Sequence, residues 1–174
     1  DASGDLSVLG TDFDLVFSNA CIQWIPDHKR LIPNMLKCLK SGGILAVQTP
    51  MNQEEPVHRI ISETICEERW KKLFSRSRIF YNLSQSEYFD LLGLFCSDFS
   101  LWSTTYFHVM SSHDDIVEWY KSTGLKPYLE QLDGSDKEDF ENEIREKLTA
   151  AYPVQKNGQI IFRFPRFFFT ALKD

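Results

Sequence analysis

The first third of the chain alternates short apolar runs with an amphipathic stretch. Residues 13–18 have the pattern of a buried strand. Asp27 then stands at a helix N-cap position, and apolar residues recur at helical spacing to about residue 40. Gly42 and Gly43 are predicted to end that helix, and residues 44–48 form a second apolar run. Strand, helix and strand in this order predict a right-handed parallel βαβ unit.

Longer periodic segments follow. The pattern predicts helices over residues 54–73, 84–95, 113–123, 125–132 and 135–151, and strands over residues 99–110 and 159–172. Ser84 and Glu87 resemble a capping box, and Ser112 caps the next helix. The last helix has an apolar stripe of Phe140, Ile144, Leu148 and Ala151. Long antiparallel strands are often added to doubly wound parallel sheets, so the expected class is α/β.

Composition narrows the function classes. A chain of 174 residues with 43% hydrophobic residues suits one globular domain. A net charge of −6 argues against nucleic acid as a partner. No apolar run approaches the roughly 20 residues of a membrane helix. The cysteines contain no CxxC pair, which disfavours a zinc site. We expect four buried, reduced thiols, a reducing compartment and a cytoplasmic protein.

The best candidate site follows the first strand. Ligands of open α/β sheets bind outside the carboxyl ends of strands, and here the strand ends in the polar turn of Asn19, Ala20, Gln23 and Trp24. Asn19 and Ala20 either contact a ligand or form a simple Asx turn. Gln23 and Trp24 either line the pocket or pack on the following helix.

Two motifs in this region resemble class I S-adenosylmethionine-dependent methyltransferases. They are residues 12–20 (DFDLVFSNA) with 23–28 (QWIPDH), and residues 39–48 (LKSGGILAVQ). The second half is more specific and is similar to the trans-aconitate 2-methyltransferase family. That similarity rests on residues 48–50, 55–56, 104–110 (TTYFHVM), 119–129 (WYKSTGLKPYL), 152–153 and 164–169 (FPRFFF).

The resemblance implies S-adenosylmethionine as cofactor and Asp1, Asn19, Ala20, Gln23 and Trp24 as its candidate contacts. Family members carry a further half-domain with the Gly-rich loop, and the chain has no Gly-x-Gly sequence. We therefore expect the C-terminal part of one Rossmann-like domain, with strands four to seven of a seven-stranded sheet. Residues 1–50 would end the cofactor-binding core, and residues 51–174 would hold the acceptor. We expect the fragment alone to be inactive.

An acidic acceptor would need cations and neutral donors. The candidates on the two long strands are Tyr106, His108, Arg163 and Arg166. Tyr106 and His108 alternate to one face of their strand. Arg166 belongs to the Phe-Pro-Arg motif, although a structural salt bridge explains it as well. His108 also suits a structural position, and Arg163 a solvated one. No catalytic residue and no metal are required, because a carboxylate is already an ionised nucleophile.

Three functional hypotheses remain from the sequence. The first is methyl transfer to a small polycarboxylic acid such as trans-aconitate, giving a methyl ester. The second is a methyltransferase for a different small-molecule acceptor. The third is a non-catalytic folded or interaction module. In addition, the strand at residues 13–18 would have a bare edge, so we expect self-association through it or local disorder along it.

Overall fold

The computed structural model describes residues 2–174, which contain a four-stranded mixed sheet. Its strand order is β1-β2-β4-β3. The strand β1 pairs with β2 in parallel, and β4 pairs with β2 in antiparallel orientation. The bounds are β1 Phe13–Asn19, β2 Leu39–Pro50, β3 Asp98–Met110 and β4 Ile160–Leu172. The predicted α/β class is confirmed at this level.

Helices separate the strands as the pattern predicted. Ser84 and Ser112 both form capping boxes, with Glu87 and Asp115 respectively. Phe140, Ile144 and Leu148 are fully buried, whereas Ala151 is exposed and does not belong to the stripe. The α-helices in the described residues are α1 His28–Lys37, α2 Pro56–Thr64, α3 Gln85–Gly93, α4 His113–Lys121, α5 Lys126–Leu129 and α6 Gly134–Ala151.

The start of β2 differs from the prediction. Helix α1 ends at Lys37, and the strand begins at Leu39, before the two glycines. The pairing with β1 shifts between Phe13 and Leu15, which places Gly42 and Gly43 in an irregular stretch of the strand. A side chain on Gly43 would come within 2.8 Å of the Phe13 carbonyl oxygen. Gly43 therefore allows close backbone approach within the sheet, Gly42 adopts a φ of +74°, and neither residue ends a helix.

The helix predicted over residues 54–73 is also shorter, because α2 ends at Thr64. Hydrogen bonds between residues three apart follow, such as Glu67 N–H to the Thr64 carbonyl at 3.1 Å. This turn brings Trp70 into a fully buried position, where its Nε1 donates to Glu143 at 2.8 Å. Burial of the indole overrides the local helical propensity.

The chain divides into two compact units. Unit 1 extends to Met51 and also contains Ile79–Thr104 and Pro165–Asp174. Its core lies on one face of the sheet, where α1 and α3 cover the strands. That core includes Leu31, Ile32, Leu36, Leu45, Val47, Tyr88, Leu92, Phe167 and Phe169. The opposite face carries exposed apolar side chains, namely Leu15, Phe17, Ile44 and Trp102.

Unit 2 consists of Asn52–Arg78 and Thr105–Phe164. Its core packs α2, α4 and α6 around Trp70, Phe140 and Phe162. Trp119 of α4 is 37% exposed. Inside this unit, His58 Nε2 lies 3.1 Å from the Tyr120 hydroxyl.

The cysteines only partly match the prediction. Cys38 and Cys96 are buried, but Cys21 and Cys66 are exposed, so the expectation of four buried thiols is wrong for two of them. None of the helices within residues 2–174 has the length and apolar character needed to cross a membrane.

We propose that the 174-residue chain self-associates through β1, which is an edge strand of the sheet with Phe17 65% exposed. Bare edges with apolar side chains recruit further strands. Sedimentation analysis should show dimers or larger species at micromolar concentration, and Phe17→Lys should shift them to monomers. Leu94→Lys, a matched change at an exposed position outside the sheet, should not. A monomeric wild-type chain with an ordered β1 would contradict the proposal.

A second prediction concerns His58. Burial, and next the Arg78 charge, lower the pKa of His58 to about 4. Between pH 6.5 and 4 the unfolded chain therefore binds more protons at this position, and stability falls as the pH falls. The free energy of unfolding should drop by about 2 kcal/mol more between pH 7.5 and 5 in the wild type than in His58→Gln. Urea titrations at both pH values test this, and equal losses in both proteins would refute it.

Candidate functional site at the carboxyl ends of the parallel strands

The turn after β1 leaves the sheet through an unusual backbone conformation. Ala20 has φ of +51°, a left-handed value that is uncommon for residues other than glycine. Its N–H still donates to the Gln48 carbonyl at 2.9 Å, so the turn begins as a continuation of the β1–β2 ladder. The chain then forms a short 3₁₀ helix, Ile22–Trp24. The sharp turn presents Asn19, Ala20 and Cys21 to solvent at the end of the sheet.

The buried side chain of Gln23 stabilises this turn. The side chain is 2% exposed, and its Nε2 donates to the Ala20 carbonyl at 2.8 Å. Its Oε1 accepts from the Thr49 hydroxyl at 3.3 Å. Both polar atoms of the Gln23 amide are therefore engaged by the protein, and the side chain ties the turn to the end of β2.

His28 holds the same turn from the other side. The imidazole is 1% exposed, with Nε2 at 2.8 Å from the Ile22 carbonyl and Nδ1 at 2.5 Å from the Tyr88 hydroxyl. Because a carbonyl only accepts, Nε2 carries the proton, and the Tyr88 hydroxyl donates to Nδ1. Burial lowers the pKa of His28, which favours this neutral form. The sequence pattern alone did not indicate this role for His28.

The remaining predicted cofactor residues are more accessible. Trp24 is 42% exposed, and its ring packs on Phe80 with centroids 5.1 Å apart. Asn19 is exposed at the last position of β1. Asp1 lies outside the described residues. Unit 1 thus contains an exposed amide and an exposed indole on a turn that Gln23 and His28 hold in place.

Arg166 lies at the same end of the sheet. It pairs with Pro50 across the β2–β4 ladder, and its guanidinium donates to Gln48 Oε1 at 3.1 Å. Gln48 in turn pairs with Asn19. The backbone register therefore brings a cation next to the predicted cofactor turn. Gln48 was not among the predicted site residues, although a polar residue at the end of an apolar strand indicates a candidate site.

The other predicted acceptor residues lie in unit 2. The rings of Tyr106 and His108 stack with centroids 6.5 Å apart, as expected for alternate residues of one strand face. His108 also meets Trp119 edge-on at 4.6 Å. Arg163 is 3.7 Å from Glu55 and its side chain is 56% exposed. Their roles in binding remain predictions.

A cavity of about 600 Å³ lies at the opposite end of the sheet in unit 1. Its lining includes Asp12, Lys37, Lys40 and Ser41, which precede or begin the parallel strands. It is therefore separate from the carboxyl ends where ligands of such sheets bind. Across residues 2–174, no group of three or more His, Cys, Asp or Glu side chains is arranged to hold a metal ion.

The His28–Tyr88 hydrogen bond gives a prediction about stability. Tyr88→Phe would leave the buried Nδ1 without its donor, so we expect a loss of about 1–3 kcal/mol in the free energy of unfolding. Adding His28→Phe should restore part of that loss, because both polar partners are then removed. Denaturant unfolding of the two single variants and the double variant measures the coupling between the residues. Additive losses would show that the two side chains do not interact.

The sequence is similar to known methyltransferases. Residues 2–47 match a family described as a methyltransferase domain. Trans-aconitate 2-methyltransferase from Enterobacter sp. (strain 638) is 39% identical over 161 residues, which are 92% of this chain and 62% of that protein. The enzyme of the same name from Rhodopseudomonas palustris (strain BisB5) is 38% identical over 164 residues, 93% of this chain and 64% of that protein. The chain thus spans a little over three-fifths of these relatives.

The fold comparison points the same way. The crystal structure of a candidate methyltransferase from Bacillus halodurans C-125 superposes with a TM-score of 0.53 and 14% identity, covering 99% of this chain and 69% of that one. At this identity the likeness concerns the fold alone. The first part of the chain is thus similar to a methyltransferase domain, and about nine-tenths of the chain is similar in sequence to trans-aconitate 2-methyltransferases.

Proposed function

We propose that the protein containing this chain transfers a methyl group from S-adenosylmethionine to a carboxylate of a small polycarboxylic acid such as trans-aconitate, giving a methyl ester. The observation that carries the proposal is the juxtaposition, in unit 1, of the exposed Asn19 turn with the Arg166 guanidinium. One side of this edge offers neutral polar groups, and the other offers a positive charge. The names of the sequence relatives support the same reaction.

The residues at the turn fit the cofactor. An exposed amide suits the polar groups of a ribose or an amino acid, and the half-exposed Trp24 ring provides a flat wall. When bound, the cofactor supplies a sulfonium methyl group, whose bond to sulfur breaks as a bond to the acceptor oxygen forms. The protein's part is to hold the two reactants in line, which is worth several kcal/mol. No general base is needed for an ionised carboxylate.

Different observations support each residue that we propose to bind the acceptor. Arg166 provides a guanidinium, which binds carboxylates through paired N–H groups. Tyr106 and His108 belong to an aromatic group with Trp119 and Phe164 that could contact the acceptor's carbon skeleton. Arg163 is proposed more weakly, because Glu55 already lies beside it. A different small-molecule acceptor would need only a few changes among such residues.

We further propose that β1, β2, β3 and β4 are strands four, five, six and seven of a seven-stranded sheet. The position of β1 at the edge and the three-fifths coverage of the relatives support this assignment. On that basis residues 1–50 belong to the cofactor-binding core and residues 51–174 mainly to the acceptor side. The exposed apolar face of β1 and β2 favours one other candidate, a non-catalytic interaction module.

Binding of the cofactor is tested by calorimetry on the protein encoded by the complete gene. Asn19→Ala should weaken S-adenosylmethionine binding about tenfold, the effect of losing one hydrogen bond. Asn142→Ala, an exposed asparagine on α6, is the matched control and should bind normally. Absence of binding by the wild type would refute the proposal and favour the interaction module.

Methyl transfer is tested in the same preparation with labelled cofactor and a panel of acids. Label on trans-aconitate that alkali releases as methanol would identify an ester product. Transfer of the label to another molecule would support methyltransferase activity and show that the acceptor differs from trans-aconitate. The 174-residue chain, assayed in parallel, is expected to be inactive because it has no Gly-rich loop to hold the cofactor. Turnover by this chain would contradict that expectation.

A further inference from the structure

The side chain of Gln48 has one engaged and one unengaged polar atom. It is 5% exposed, and its Oε1 accepts a hydrogen bond from Arg166 Nη1 at 3.1 Å. A guanidinium has only donors, so the amide must turn its oxygen toward Arg166. The Nε2 group then points elsewhere, and it has no hydrogen-bond partner among the described residues. Arg166 thereby fixes the direction in which Gln48 can donate.

A buried amide N–H without a partner is destabilising and uncommon, so each one in a native protein calls for an explanation, of which a functional role is one. Ser18 Oγ is the second such atom in the described residues. It lies on the opposite face of the sheet, because Ser18 alternates with Phe17 on β1 and shares a face with Val16 in the unit 1 core. Gln48 is therefore the donor on the face that carries Arg166.

The strand register determines which residues lie beside Gln48 in the sheet. It pairs with Asn19 on one side and with Phe168 on the other. It consequently lies between the turn proposed to hold the cofactor and the strand that carries Arg166. Phe168 stacks on Trp102 with an interplanar angle of 6° and centroids 5.2 Å apart. These aromatic neighbours lower the local polarity, which strengthens hydrogen bonds to a charged ligand.

We propose that Gln48 and Arg166 together bind one carboxylate of the acceptor, with Gln48 Nε2 donating to a carboxylate oxygen beside the guanidinium charge. This inference rests on the proposed methyl transfer to an acid and adds the residue that recognises it. Gln48 acts as a binding residue that selects anionic acceptors, and it takes no part in proton transfer. An ester or amide in place of that carboxylate lacks the charge that makes this pair of donors favourable.

The decisive variant is Gln48→Glu. A glutamate still accepts from Arg166 but removes the donor and adds a negative charge where the acceptor carboxylate would lie. We expect the KM for trans-aconitate to rise by about 30-fold or more, while the affinity for S-adenosylmethionine stays within twofold. Gln159→Glu is the matched control. Gln159 is exposed and accepts from Asn157, so the same charge change is made at a position with no proposed role.

Gln48→Met provides a second measurement that does not depend on added charge. It has a similar volume, and a buried thioether replaces an unpartnered N–H, so the fold should be retained. We expect its KM for trans-aconitate to rise about tenfold, with melting temperature and cofactor affinity close to those of the wild type. If Gln48→Glu does not fold, this variant decides the question.

The outcomes separate the two proposals. A wild-type protein that methylates no acid refutes the proposed function, whatever the variants do. A wild type that methylates an acid, together with KM values within twofold in both Gln48 variants, overturns the role of Gln48 alone. Equal losses of cofactor and acceptor affinity in both variants would also overturn it, because they would indicate a structural effect on the turn.

Discussion

The register between β1, β2 and β4 is the constraint on which the candidate site depends. Asn19 pairs with Gln48, and Gln48 pairs with Phe168, two residues beyond Arg166 on β4. Side chains alternate between the faces of a sheet, so a slip of one residue would move the Gln48 side chain to the opposite face. The irregular stretch at Gly42 and Gly43 lies at the other end of β2 and leaves this register intact.

The turn after β1 shows how burial separates two kinds of polar residue. Gln23 and His28 are almost fully buried, and the protein itself supplies partners to both polar atoms of each side chain. Asn19 and Trp24 are accessible on the same turn. The buried residues hold the turn in one conformation before a ligand binds. The accessible residues therefore need little reorganisation on binding. Gln48 is buried as well, yet one of its atoms is unengaged.

Much of the fold follows from local pattern. The βαβ unit, the two capping boxes and the long strand β4 each have a sequence signal that short-range physics explains. The ends of α1 and α2 have no such local signal, because they depend on contacts between residues that are distant in the chain. Gly43 lies against the Phe13 carbonyl, and the buried Trp70 donates to Glu143. In the site, the exposed turn was predictable from the end of a strand. The hydrogen bonds of His28 and the orientation of Gln48 were not predictable, because they depend on contacts with Tyr88 and Arg166 that form only in the folded chain.

Charge gives a further reason to place the acceptor at this edge. The chain carries a net charge of −6, so a polycarboxylate meets repulsion over most of the surface. Arg166 places a guanidinium at this edge, where it donates to the neutral amide oxygen of Gln48. A carboxylate partner at position 48 would have cancelled that charge. A neutral amide at position 48 therefore accepts from Arg166 without adding a negative charge, and it carries a donor of its own.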